Sequence, residues 1–384
     1  MSRRDDETHR ESDDHEHKRE RERAVGLDGG MTLGTAAAVG NENTESDGST
    51  SLRHAVELFG IALTAVLALV MVTFIILYWV RDYPIAAGLY DSFMSLGWLL
   101  DGLLGTNVFR HPFMWQSLST GVLIGIVAPL VGTYLVHREM ALIGETLAHT
   151  AFAGVAVGLL LSASTDWGGS LLLAALVVAI IGALGVQWLA ERTSTYGDVP
   201  IAIMLTGSFA VGTLLISYGR GLAGINIEGY LFGSLAIVTP DGARLMMVLS
   251  VAVVAVIALT YKELLFITFD EQAARVAQLN VTFYNTLLIV MTAVVVVGAM
   301  QILGVILVAA MLVIPVAAAS QVAKSFRETL YLSVLFGQLS ILGGFAFSLY
   351  GSHPAGGSIV VVAIVFYLAS ILLSGRSVTA LSTH

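Results

Sequence analysis

Ten apolar stretches, each close to the length a helix needs to cross a bilayer, constrain this chain more than any other feature. A hydrocarbon core about 30 Å thick takes about 20 helical residues at ~1.5 Å each. The stretches are Val56–Trp79, Ser117–Val136, Met140–Leu161, Ser170–Leu189, Pro200–Tyr218, Ala243–Tyr261, Phe283–Met300, Gln301–Ala323, Thr329–Tyr350 and Gly357–Ser374. With 56% hydrophobic and only 12% charged residues, the chain has too little polar surface to keep that apolar mass dissolved. In lipid every backbone N–H and C=O needs a partner within the protein, and a helix supplies these partners locally. The expected fold is all-α: a polytopic transmembrane bundle of about ten spans. The stretch Ile85–Leu104 is also apolar, but it carries Asp91 and Asp101 and reads as an interfacial or extracytoplasmic helix. Cysteine is absent, which excludes disulfides and thiolate metal sites.

The net charge of −9 is shaped largely by the first fifty residues, which have few apolar side chains. Such a segment cannot bury enough surface to offset the entropy of ordering, so residues 1–52 are expected to be a disordered, charged cytoplasmic tail. The tail lacks the apolar stretch of a signal peptide. His9, His15 and His17 could gather a metal loosely, although a solvated charge run explains them as well, and Met31 could be the true start. Basic residues place the rest. His137-Arg138, Glu191-Arg192, Lys262 to Arg275, Lys324–Arg327 and Arg376 fall on one side of the counted spans, with the tail. Arg81, Arg110, Arg220 and Arg244 are the exceptions on the other side. Both termini are therefore expected in the cytoplasm, in a multi-pass protein of the cell membrane.

Ionisable residues inside the spans are few, and the best constellation is Glu145 and His149 on the third span. Residues four apart share a helix face. Counted from Met140, the two lie roughly 8 and 14 Å deep, which brings His149 close to the midplane. Gly154 and Gly158 fall on the opposite side of the wheel. Like Gly121 and Gly125, they are read as close-packing positions between helices. A carboxylate and an imidazole suit Zn²⁺ or Mn²⁺. One helix offers two ligands, and a two-fold pair of chains would offer four. The same residues would serve a proton relay, or a hydrogen bond that only ties helices together; spacing does not separate these. Pro315 lacks a helical donor and predicts a kink or break within Gln301–Ala323.

The segment Phe269 to Asn280 is too polar to cross a membrane. Asp270 can cap a short helix there, and Glu271 in its first turn complements the helix dipole. Such a helix is either a contact for a soluble partner or an ordinary amphipathic connector. There is no nucleotide-binding G-x-x-x-x-G-K-[ST] loop, and only three lysines are present. Uphill transport would have to draw on another subunit or on an ion gradient.

Five segments in order resemble the permease subunits of the zinc/manganese ABC importer family, over His111 to Ser374, about two thirds of the chain. Residues 138–149, REMALIGETLAH, are similar to that family's R-x-M-S-L-x-G-D-A-L-S-H. Tyr230 to Ser234 resembles its L-F-G turn, and Phe269 to Arg275 its F-D-P-E-x-A-R helix. Gly304 to Pro315 and Pro354 to Val360 complete the set. Two departures stand out: Glu145 where Asp is usual, and Gln278 in place of a common Gly before Leu279.

The resemblance implies that residues 111–376 form a permease core, with 53–110 as an added span plus an extracytoplasmic or interfacial segment. It implies a homodimeric or pseudo-dimeric permease, two copies of a cytoplasmic ATP-binding subunit and an extracytoplasmic metal-binding protein, with no nucleic acid. Transported Zn²⁺ or Mn²⁺ would meet Glu145 and His149. ATP would bind only the partner subunit, so the chain itself would not be an enzyme. A coupling helix would map onto Asp270, Glu271, Ala274, Arg275 and Leu279. The rival expectation is a proton-coupled secondary metal transporter.

Overall fold

The computed structural model describes residues 60–164, 170–192, 199–218, 227–234 and 238–374. The charged tail, Arg220 and Arg376 lie outside the described residues. The chain divides into Met1–Leu58 and Phe59–His384, and the fold below is that of the second unit.

Its described residues form helices joined by short turns. They are α1 (Gly60–Trp79), α2 (Pro84–Leu104), α3 (Pro112–His137), α4 (Leu142–Ser164), α5 (Leu171–Arg192), α6 (Val199–Tyr218) and α7 (Ile227–Phe232). The rest are α8 (Pro240–Leu259), α9 (Tyr261–Phe269), α10 (Glu271–Val276), α11 (Val281–Leu303), α12 (Val308–Val322), α13 (Phe326–Gly351) and α14 (Ala355–Leu373). The starts follow local chemistry. Pro112 and Pro240 take first-turn positions, where a missing N–H costs nothing. Thr239, Asn280 and Ser325 each accept a first-turn N–H, and Glu328 reaches back from α13 to the Lys324 N–H.

Among the described residues nine helices are long and apolar enough to cross a membrane, and the tenth expected span is the shorter α12. The apolar run from Phe283 to Ala323 does not divide at Gln301. α11 continues to Leu303, and the chain breaks at Gly304, whose φ of 78° and ψ of 157° suit glycine alone. α12 runs from Val308 to Val322 with Pro315 inside it, so Pro315 does not end the helix. α2 is a 21-residue helix outside the set of spans.

Three helices form the inside of the bundle. Buried positions make up 89% of the apolar window of α3, 78% of that of α11 and 67% of that of α4, against 11% for α6. Small residues make the close approaches. Gly132 of α3 meets the Leu312 backbone of α12, Gly121 and Gly125 meet Ile341 of α13, and Gly154 and Gly158 meet α5 at Ala175 and Ala174.

The two ends of the bundle differ. At one, the rings of His137, Phe269 and Phe326 pack together, 5.0 to 6.3 Å between centroids, so the basic loops around Arg138, Arg275 and Arg327 gather at that end. At the other, the exceptional arginines each cover an aromatic ring: Arg81 on Tyr78, Arg110 on Trp98 and Arg244 on Trp79, at 4.4, 4.8 and 4.4 Å.

Candidate metal site and docking surface

α4 carries the Glu145/His149 pair and packs against α5, α6 and α11. From the start of the helix at Leu142, Glu145 is about 5 Å along and His149 about 11 Å. That is shallower than the count from Met140, because residues 138–141 form a turn with Glu139 at φ 59°. Both side chains are half-buried while their helix neighbours Thr146, Leu147 and Ala148 are enclosed. The His149 ring stands edge-on to Phe209 of α6 at 4.9 Å, and its Nδ1 is buried with no hydrogen-bond partner.

The neighbouring positions hold α4 in register. Thr150 Oγ1 lies 3.0 Å from Ser208 Oγ, Thr146 Oγ1 donates to Ile201 O at 3.3 Å, and Gly182 of α5 leaves room for Thr150. No cluster of three or more His, Asp or Glu occurs among the described residues, so no third such ligand joins this pair there. Two donors on one face can hold a divalent ion only incompletely; structural zinc takes four.

α10 forms as its cap foretells. Asp270 accepts the Ala273 N–H at 2.8 Å, and Arg275 pairs with Glu271 at 2.6 Å. The helix ends in a Schellman motif, with Gln278 N donating to Arg275 O and Leu279 N to Ala274 O, both at 3.1 Å. Gln278 carries the left-handed φ of 60° that this motif demands, a position where glycine is usual. Of the residues expected to meet a partner, Glu271 and Arg275 are exposed and Asp270 is engaged as the cap. Ala274 is fully enclosed and Leu279 is half-buried against Ile267 and Val281, so these two seat the helix. Val276 and Phe269, 85% and 65% exposed, are apolar side chains at this end that charge patterning passed over.

Arg138 is the other residue that sequence reasoning left without a role. Its guanidinium donates to Thr268 Oγ1 of α9 at 3.0 Å, to Asn285 Oδ1 of α11 at 2.6 Å and to Leu264 O at 3.5 Å. It thus ties the turn before α4 to the helices that flank α10.

The model of the ABC 3 transport family matches residues 110–374, which hold both Glu145/His149 and α10. The chain belongs to that family. It is a multi-pass membrane protein and a permease subunit rather than an enzyme. Within the family it is similar to the manganese transport system membrane protein MntC of Listeria monocytogenes, 30% identical over 271 residues that cover 70% of this chain and 92% of the relative. It is 24% identical to the high-affinity zinc uptake system membrane protein ZnuB of Haemophilus influenzae, over 68% of this chain and 98% of that protein. Among solved structures, PsaBC from Streptococcus pneumoniae in complex with Fab aligns with a TM-score of 0.61 at 29% identity, covering 72% of this chain and 95% of that one. α1 and α2 precede the ABC 3 region.

Proposed function

We propose that this chain forms the translocation pathway of an ATP-driven importer of divalent metal, manganese or zinc. Residues 111–376 act as the permease core, with the end bearing Arg138, Arg275 and Arg327 in the cytoplasm. Two copies pair about a two-fold axis, and each gives Glu145 and His149 to the passing ion. Two cytoplasmic ATP-binding subunits dock on α10, and an extracytoplasmic binding protein delivers the metal at the opposite end. Relatives named for manganese and for zinc transport support this reading and leave both metals as candidates.

The observation that carries it is the buried His149 Nδ1, which has no protein partner one helical turn from a carboxylate. A polar group kept unsatisfied inside a bundle costs free energy unless something else uses it. A metal ion is a partner the helix itself cannot supply. The outer face of α6 beside the pair is apolar and exposed, with Ile203 56% and Leu214 69% accessible, so a second copy has a surface to cover.

The test is metal uptake by the full complex in proteoliposomes. Wild type accumulates Mn²⁺ or Zn²⁺ only with ATP. Glu145→Ala and His149→Ala reduce uptake to background, while the ATP-binding subunit still co-purifies. Wild-type uptake by both variants refutes the site, and uptake without the ATP-binding subunit refutes the energy source.

A further inference from the structure

α1 lies outside the ABC 3 region, and the transport reading gives it no task. It leans on the bundle at both ends. Near its last turn Phe74 and Ile75 are buried, Ser119 Oγ of α3 sits 3.4 Å from the Met71 sulfur, and Trp79 lies under Arg244 of α8. At its start Gly60 is packed near Leu335 of α13. Between these contacts α1 presents Ala65 and Ala68, and α8 presents Ala255 and Ala258, side chains too short to meet. They border a cleft of about 590 Å³ with Val72 and Ile61 in its wall. A second space of about 460 Å³ shares Leu130, Val254, Ala258, Leu330 and Tyr331 with it and is lined further on by Ile257, Tyr261 and Arg327.

We propose that this cleft binds a phospholipid, with one acyl chain between α1 and α8 and the phosphate at the mouth beside Arg327. Size favours an acyl chain over a protein helix. A membrane helix is a cylinder about 10 Å across and ~30 Å long, on the order of 2,400 Å³, some four times the apolar cleft. The cleft is instead within the range of roughly 300–1,000 Å³ typical of small-ligand sites. Polarity agrees with size. The deep part is walled mainly by Ala, Val, Leu and Ile, with Thr64, Ser250 and Tyr331 among them, whereas the mouth adds the Arg327 guanidinium and a second phenol, Tyr261. Arg327 Nε donates to the Tyr331 hydroxyl at 3.2 Å, which fixes the arginine at the rim. Tyr rings with one apolar side and one wet end belong at the headgroup level, and an arginine there attracts phosphate. The lipid would fill the contact that the four alanines leave open, and so join the added span to the core.

The full chain, purified in mild detergent, would be offered phosphatidylglycerol or diacylglycerol, which shares the acyl chains but lacks the phosphate, and analysed by native mass spectrometry. Wild type retains one phosphatidylglycerol per chain and several-fold less diacylglycerol. Filling the cleft with Ala68→Phe and Ala255→Phe removes both. Arg327→Gln, at an exposed position, lowers phosphatidylglycerol retention about fivefold and leaves diacylglycerol unchanged. The proposal is overturned if wild type keeps no lipid, if the filled variant stays monodisperse and keeps as much, or if Arg327→Gln retains phosphatidylglycerol fully. None of these readouts depends on transport.

Discussion

Asp101→Asn tests how the segment before α3 is held. The Asp101 carboxylate is 4% exposed and accepts from five donors. Oδ1 takes the Thr106 hydroxyl at 2.7 Å and the Val108 and Phe109 amides at 3.0 Å each; Oδ2 takes the Arg110 amide at 2.9 Å and its Nε at 3.4 Å. Asparagine keeps one oxygen for the first three, now as a neutral acceptor, and turns an NH₂ toward the two Arg110 donors. Hydrogen bonds to a charged group contribute about 1.5–3 kcal/mol each and neutral ones about half that. Two bonds lost and three weakened, discounted because Arg110 is partly in water, come to about 3–5 kcal/mol for closing the loop.

The readout is amide exchange over residues 105–110, supported by tryptic cleavage after Arg110. A change of that size raises the open population by roughly 10² to nearly 10⁴-fold. Exchange in the Asn variant equal to wild type would show that the amides are held by something other than the carboxylate, and the reasoning would fail. The pH dependence has a definite sign. Burial alone would raise the Asp101 pKa, but the Phe109, Thr106, Val108 and Arg110 donors outweigh it and hold the group well below the usual carboxylate range. Its contribution is therefore complete above the unfolded pKa of about 3.9 and is lost only as pH falls through the lower folded value. The Asn variant should show no such acid-dependent step.

Other substitutions probe the backbone and the link between sites. Gly304→Ala forces a side chain into a glycine-only region and against the Leu231 carbonyl and Gly233 amide, so the detergent-purified protein should melt lower, by about 1–3 kcal/mol from strain alone. At Gln278, glycine should leave α10 as stable or slightly more so, and valine should loosen its last turn by more than about 1 kcal/mol, read by exchange of the Leu279 amide. Arg138→Lys cannot reproduce a fork to Thr268, Asn285 and Leu264, so metal uptake should fall while the ATP-binding subunit still co-purifies.

What the sequence made legible was what local chemistry or lipid dictates. The spans were readable because a bilayer demands long apolar runs, and α10 because Asp270 is a cap that needs only the next three residues. The division at Gly304 was hidden: the mostly apolar run from Phe283 to Ala323 looks alike throughout until the backbone of Gly304 is placed. Asp101 was legible as a polar mark on an apolar helix, but its partners are mostly backbone amides, which leave no trace in residue type. Arg138 stayed silent because its partners lie 126 to 147 residues away, on helices whose neighbourhood only the packed bundle sets. Glu145 and His149 were visible through their i,i+4 spacing, whereas the Phe209 ring beside His149 was not.

The segments around Tyr230, Gly304 and Pro354 look unrelated along the chain, yet they meet at one end of the bundle. Val305 N donates to Tyr230 O at 2.9 Å, Ile306 N to Leu231 O at 3.3 Å and Ser234 N to Gln301 O at 3.3 Å. Gly233 lies against the Ile302 carbonyl, and Gly356 against the carbonyls of Leu303 and Phe232. Contacts between backbones at this distance admit one arrangement, because any shift strands an amide or drives atoms together. The basic end is joined by side chains instead: the Arg138 fork and the ring trio of His137, Phe269 and Phe326. Side chains can exchange partners while their helices stay intact. In the proposed transporter, a displacement of α10 would therefore be taken up at the basic end and pass through Arg138 to the start of α4. Glu145 lies only seven residues beyond Arg138, so the pair proposed to meet the ion sits where the bundle is built to give.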